Sequence, residues 1–188
     1  MTAERGYRMR LVSGSLVDPD LRLKEFYRYW RGRCGERAMP RRADIDPVDM
    51  PPRLLPNLFL ADVVEGGARF RYRLVGTELV NMLGWDPTGG YVDEINQSAS
   101  YCDYIVALYR RVIDARLPVF SMSRYPRPDD PDGGYHAAQR LMCPLSSDGV
   151  AVDMLFTCQI FQVAPRQLDF PRLTGVNPFV GVCEAVLE

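Results

Sequence analysis

Residues 69–75 read Arg-Phe-Arg-Tyr-Arg-Leu-Val. Strict alternation of a cation with an apolar side chain is the pattern of a β-strand, because a strand turns successive side chains to opposite faces. Phe70, Tyr72 and Leu74 then share one face, and Arg69, Arg71 and Arg73 share the other. An apolar, β-branched run at 58–64 lies just upstream, with Glu65-Gly66-Gly67 as the turn between. The two segments together predict a hairpin.

Three more strand segments follow at 118–125, 135–145 and 150–163. In the last, Val152, Met154, Phe156, Cys158 and Ile160 fall on one face. The Pro/Asp/Gly loop at 126–134 and the turn at 146–149 are short, so these strands are expected to be antiparallel neighbours. Hydrophobic residues make up 47% of the chain, which is enough to bury a sizeable core behind such a sheet.

Helical spacing appears in two longer segments. Asp18-Pro19 predicts an N-cap with proline at the first helical position. Leu23, Phe26, Tyr27, Trp30 and Cys34 then form an apolar stripe, with Arg and Lys opposite and an end before Pro40. The second helix is capped by Ser98 or Ser100 and carries Tyr101, Ile105, Leu108 and Val112 on one stripe. Its C-terminal end holds Arg110, Arg111 and Arg116, where the helix dipole favours cations. Thr77 can cap a short helix at 78–83, which closes at Gly84. Residues 40–56 hold five prolines and exclude long regular structure, although Asp46-Pro47 can open a helical turn.

The chain divides into an arm at 1–17, flexible or docked at a sheet edge, an amphipathic helix at 18–39, a domain at 40–163 and an extension at 164–188. Residues 180–187 fit a strand or a short helix. The order of elements predicts an α+β fold, a five-stranded antiparallel sheet covered by helices.

That order, together with five short motifs, resembles the PAS domain family, and within it a subfamily of small, often stand-alone bacterial proteins. The motifs are Phe26-Tyr27-x-x-Trp30, Pro40-x-Arg42-x-Asp44-Ile45-Asp46-Pro47, Leu54-x-Pro56-x-Leu58-Phe59-Leu60-x-Asp62-Val63, Phe70-x-Tyr72-Arg73-Leu74-Val75-Gly76-Thr77 and Gly84-x-x-x-Thr88-Gly89. The resemblance implies a sensory or protein-interaction role, a cavity beneath the helices and dimerisation through an N-terminal helix. It implies regulation rather than catalysis, with the signal passed by contact with a partner protein.

On this reading Tyr72, Tyr104, Leu108, Met122, Leu141, Met154, Phe156 and Cys158 surround a ligand pocket suited to a small, mostly apolar molecule. A fully packed core without a cavity stands against it. Leu23, Phe26, Tyr27 and Trp30 are the expected interface of a homodimer or a signalling complex.

Other chemistries find little support. Haem in PAS domains is usually held by a histidine on the long central helix, but His136, the chain's one histidine, opens a strand. Covalent flavin chemistry needs a specific cysteine motif, and Tyr101-Cys102-Asp103-Tyr104 shares only the cysteine. The five cysteines, Cys34, Cys102, Cys143, Cys158 and Cys183, include no C-x-x-C pair, which argues against zinc. Asp129-Asp130-x-Asp132 lacks the ordered spacing of a calcium loop and reads as solvated charge. Catalysis by a nucleophile and base has too few candidates beyond tyrosines, cysteines, Gln139 and Asp153.

Residues 1–56 hold 12 Lys and Arg against 8 Asp and Glu, whereas the remainder holds 11 against 16. With a net charge of −1, no global field draws in nucleic acid, and none is expected as a partner. The first residues are polar and no run of about twenty apolar residues occurs, so a cytoplasmic location without a membrane span is expected.

Overall fold

A computed structural model of the chain describes residues 9–14, 17–95, 99–126, 135–162 and 180–187. Among the described residues, seven strands form one sheet: β1 (Met9–Gly14), β2 (Leu58–Val64), β3 (Arg69–Val75), β4 (Val119–Pro126), β5 (Tyr135–Leu145), β6 (Met154–Gln162) and β7 (Val180–Leu187). Their spatial order is β1-β7-β4-β5-β6-β2-β3, and every pairing is antiparallel. The five expected strands are the contiguous block from β4 to β3. The count of five is corrected to seven, because β7 pairs with β4 and β1 pairs with β7. Met9 lies opposite Leu187, so these two strands arise from a pairing between distant parts of the chain.

The final strand of the block starts at Met154, not at 150. Asp148 accepts the backbone N–H groups of Val150 and Ala151 and holds both in the turn. Such side-chain capture of nearby amides competes with the ladder.

Helix α1 (Leu21–Cys34) begins two residues later than Asp18-Pro19 predicts. Its cap is Asp20, whose carboxylate accepts from Arg22 N at 2.9 Å while the Asp20 amide donates to Gln139 Oε1 at 2.8 Å. Leu23, Phe26, Trp30 and Cys34 are buried, as helical spacing requires. Phe26 meets Phe156 edge to face at 4.7 Å, and Trp30 Nε1 donates to the Pro144 carbonyl at 2.9 Å. α1 therefore lies across β5 and β6.

Helix α3 (Ala99–Ala115) covers the opposite face. It already includes Ser100, so Ser100 is not its cap; Ser98 lies outside the described residues. Tyr101, Ile105, Leu108 and Val112 are buried as expected, and Tyr109 joins them, edge to face with Phe70 at 5.0 Å. Arg110 donates to the Gly67 and Ala68 carbonyls, and Arg111 pairs with Glu184 at 3.2 Å. Helices thus cover both sides of the sheet. Among the described residues, no helix is long and apolar enough to cross a membrane.

Residues 40–57 form three short 3₁₀ turns that tuck Ile45, Met50 and Leu54 into the core. Asp46 opens the second turn by accepting from Val48 N at 2.9 Å, as its place before Pro47 predicts. Asp44 accepts from the Arg41 amide and from the Arg37 guanidinium, and these contacts lower its pKa to about 2. The arginines of β3 are neutralised in place. Arg73 and Arg71 reach Asp62 at 2.8 and 3.4 Å, and Arg69 pairs with Asp93 and lies over the Tyr91 ring.

Helix α2 (Thr77–Leu83) already includes Thr77, so Gly76 and not Thr77 is its cap, and it ends at Gly84, which takes the left-handed φ of 74° that favours glycine. Gly76 answers a different constraint. Its amide donates to the Leu58 carbonyl at 2.7 Å, and a Cβ there would meet the Pro56 carbonyl oxygen at 2.3 Å. Gly76→Ala is expected to cost about 1–3 kcal/mol by overpacking, towards the upper end because the obstructing atoms are backbone. A lowered urea midpoint with an unchanged slope would bear this out; an unchanged midpoint would contradict it.

Candidate functional site

The two faces of the sheet carry different chemistry. Register assigns residues to each face. Leu141 lies opposite Cys158 and Phe120, Phe156 lies opposite Leu60, and Met122 lies opposite Gln139. Phe156 contacts Phe26, and Leu141 packs with Leu23, so this set faces α1. Alternation sends Arg140, Ser121, Thr157 and Gln159 to the α3 side.

On that side, register draws one row across four strands: Glu184, Ser121, Arg140 and Gln159. Thr157 lies one step along, opposite Met142 and Phe59. Arg140 is 1% exposed, and its guanidinium donates from Nε to Gln159 Oε1 at 2.7 Å and from Nη1 to Ser123 Oγ at 2.8 Å. Burying a guanidinium is expensive unless its donors are met, so this local network is what makes the position tolerable. The hydroxyls of Ser121 and Thr157 are completely buried, and neither has a hydrogen-bond partner among the described residues. A buried hydroxyl left unmatched costs about 1–3 kcal/mol.

Two tyrosines stand over the neighbouring part of the same face. The hydroxyls of Tyr72 and Tyr109 are hydrogen-bonded to each other. Burial pushes the Tyr72 phenol up to about 12, against the smaller opposing effects of Tyr109 and of the Arg140 charge. Tyr109 is driven up further, by burial first and by Tyr72 second. Both are neutral phenols at physiological pH.

The expected pocket residues do not form one site. Tyr72, Tyr104 and Leu108 lie on the α3 side, whereas Met122, Leu141, Met154, Phe156 and Cys158 face α1. The backbone layer separates the two groups. Period-two alternation says which side chains of a strand share a face, but not which face is shared with the next strand across a loop. On the α1 side the space among Leu23, Tyr27, Phe120 and Leu141 amounts to about 10 Å³, room for no more than one water.

The expected interface changes in the same way. Leu23, Phe26 and Trp30 are buried in the chain's own core, and Tyr27 is partly buried against it. Their stripe is used up by the sheet. Cys143 and Cys158 are buried too, and desolvation raises both thiols far above their ordinary range, which keeps them as neutral, small apolar groups. Gln139 faces α1, and Asp153 accepts from the Ser147 amide at the β5–β6 turn, so neither is near the polar row. The Asp129-Asp130-x-Asp132 cluster and the side chains of His136 and Cys183 lie outside the described residues.

The family model described as "PAS domain" matches residues 20–158. Similar solved structures are those of VqmA from Vibrio cholerae. A complex of VqmA with ligand and DNA is 16% identical, with a TM-score of 0.44 over 57% of this chain and 46% of that one. VqmA bound to DPO gives the same identity and TM-score, over 57% of this chain and 53% of that one. A VqmA dimer without target DNA is 15% identical, with a TM-score of 0.44 over 58% and 47%. The matched part spans about half the length of these chains. No curated protein matches the sequence. One expectation is corrected here: nucleic acid was excluded as a partner, whereas a similar solved structure, VqmA, is a complex with DNA, and the exclusion is withdrawn.

The tyrosine pair yields a pH prediction. A phenol whose folded pKa lies above its unfolded value of 10 stabilises the fold at every pH below 10. That stabilisation is lost as pH rises through about 12. An ultraviolet difference titration of the wild type against Tyr72→Phe is expected to show the missing phenol titrating near 12, together with alkaline destabilisation. A missing phenol that titrates at the ordinary value would contradict the assigned burial.

Proposed function

The chain belongs to the PAS domain family, and from that premise we propose that it is a sensory domain that binds a small polar molecule between α3 and the sheet. It acts by binding and not by catalysis. The observation that carries this reading is the buried polar row of Ser121, Arg140 and Gln159, with Thr157 and Ser123 beside it. A core that served packing alone gains nothing from these groups. Apolar residues of similar volume in their place are generally neutral or stabilising.

The row also revises the ligand. The sequence led to a small, mostly apolar molecule. Hydroxyls, a guanidinium and an amide in one plane match a ligand with several oxygens or nitrogens, for which Ser121 and Thr157 supply the unmatched contacts. Sites of this kind fix orientation with a few placed polar groups.

A route outward accompanies the site. α3 roofs the row and is tied at one residue to β7, through Arg111 and Glu184, and at the next to the β2–β3 turn, through Arg110. A ligand that shifts α3 would strain both ties.

Differential scanning fluorimetry across a panel of small polar metabolites tests this. At least one compound is expected to raise the melting temperature with concentration, as preferential binding to the native state requires. The Ser121→Ala/Thr157→Val double variant, as stable as the wild type or more so, is expected to lose that response. No responsive compound, or an equal response in the double variant, would defeat the reading.

A further inference from the structure

The α1 side of the sheet is not wholly covered. Beside α1, between the ends of β2 and β3 and the turns at 42–57, lies a groove of about 370 Å³. That volume falls at the lower end for small-molecule sites, which run from about 300 to 1,000 Å³. Leu58, Leu60, Leu74 and Phe156 form its floor, with Ile45 and Leu55 among its walls. Leu74 is 46% exposed and Leu55 37% exposed, so large apolar side chains of the groove face water. Beside them Val48 is 88% exposed.

One charged residue, Arg42, contributes to the lining. Its Nη1 donates to the carbonyl of Ile45 at 3.0 Å, which holds the guanidinium against the groove wall. The arginines around it are already neutralised. Arg37 and Arg41 share Asp44, Arg53 pairs with Glu25, and Arg73 pairs with Asp62. Among the described residues, no carboxylate pairs with Arg42. The groove therefore combines an apolar trough with a single, fixed, uncompensated cation at its wall. The complement of that arrangement is an apolar body with one anionic end.

We propose that this groove binds a small amphiphilic carboxylate of the medium-chain fatty-acid type, its chain along Leu60, Leu74 and Phe156 and its head on Arg42. The site lies across the sheet from the polar row and does not depend on it. The charge-assisted contact sets head-group selectivity, and the trough sets chain-length preference.

Titration calorimetry and amide NMR with decanoate below its micelle concentration test the proposal, with decanol and decyltrimethylammonium as matched tails. Decanoate is expected to bind with shifts confined to residues 42–60, 72–77 and the neighbourhood of Phe156, and decanol roughly tenfold more weakly. Arg42→Gln is expected to bring decanoate down to the affinity of decanol. Leu74→Glu, at a half-exposed position, is expected to weaken both. The Ser121→Ala/Thr157→Val variant is expected to leave decanoate binding unchanged, which separates this site from the one beneath α3. Equal binding of decanoate and decanol, retention of affinity in Arg42→Gln, or loss of decanoate binding in the Ser121/Thr157 variant would each overturn it.

Discussion

The seat of α1 on the middle of the sheet fixes everything else about this molecule. Phe26 against Phe156, Leu23 against Leu141 and the Trp30 indole on the Pro144 carbonyl close one face of β5 and β6. With that face closed by α1 and the other by α3, the sheet becomes the central layer of three, and both of its faces are interior. An antiparallel sheet of this size often leaves one face in water. Here the β3 end does so, where arginines of β3 meet Asp62 and Asp93.

Two interior faces allow a division of labour. The α1 face is packed with leucine, phenylalanine, methionine and neutral thiol, and it supplies the apolar burial that stabilises the fold. The α3 face carries Arg140, Gln159 and the hydroxyls of Ser121, Ser123 and Thr157 at full burial. A protein can carry such groups only if other packing offsets their cost, and the α1 face is where that packing is found. The polar row is also placed where α3 can report on it, because α3 is anchored by Arg110 and Arg111 to opposite parts of the sheet.

Much of this was legible in the sequence, and what escaped has identifiable physical causes. Arg69 to Val75 alternates in sequence and its partner β2 lies just upstream, so its strand and hairpin could be read directly, although the register shift beside Leu60 turns Leu74 away from the face shared by Phe70 and Tyr72. The buried stripes of α1 and α3 followed from spacing alone. The Phe70–Thr77 motif becomes intelligible through Gly76, whose missing Cβ lets β3 pass the Pro56 carbonyl. Strand β1 escaped because a six-residue segment acquires its partner only from residues near the other end of the chain. The cap of α1 moved from Asp18 to Asp20 because Gln139, more than a hundred residues away, takes the Asp20 amide.

The site was the least legible part. Alternation in β5 and β6 correctly grouped Leu141 with its own face and Phe156 with Cys158, but grouping is all that it provides. Joining Tyr72 to Phe156 across separate strands required knowing how β3 meets β2, and a register shift between Leu60 and Ala61 intervenes there. Arg140 and Thr157 carried a weak signal, as polar residues recurring in otherwise apolar strands, and a solvent-facing phase explained them equally well until α3 was seen to cover them.

The central claim, that α1 is part of the core and makes the sheet two-sided, can be measured through the indole protons. Trp30 is 2% exposed and its Nε1 is hydrogen-bonded, whereas Trp85, the chain's other tryptophan, is 48% exposed. In hydrogen exchange followed by NMR, the Trp85 indole should exchange at once and serve as the internal control. The Trp30 indole should exchange only at the rate of global unfolding, together with the amides of β5 and β6. Rapid exchange at Trp30 while those amides stay protected would show that α1 leaves the sheet freely, and the three-layer account would fail.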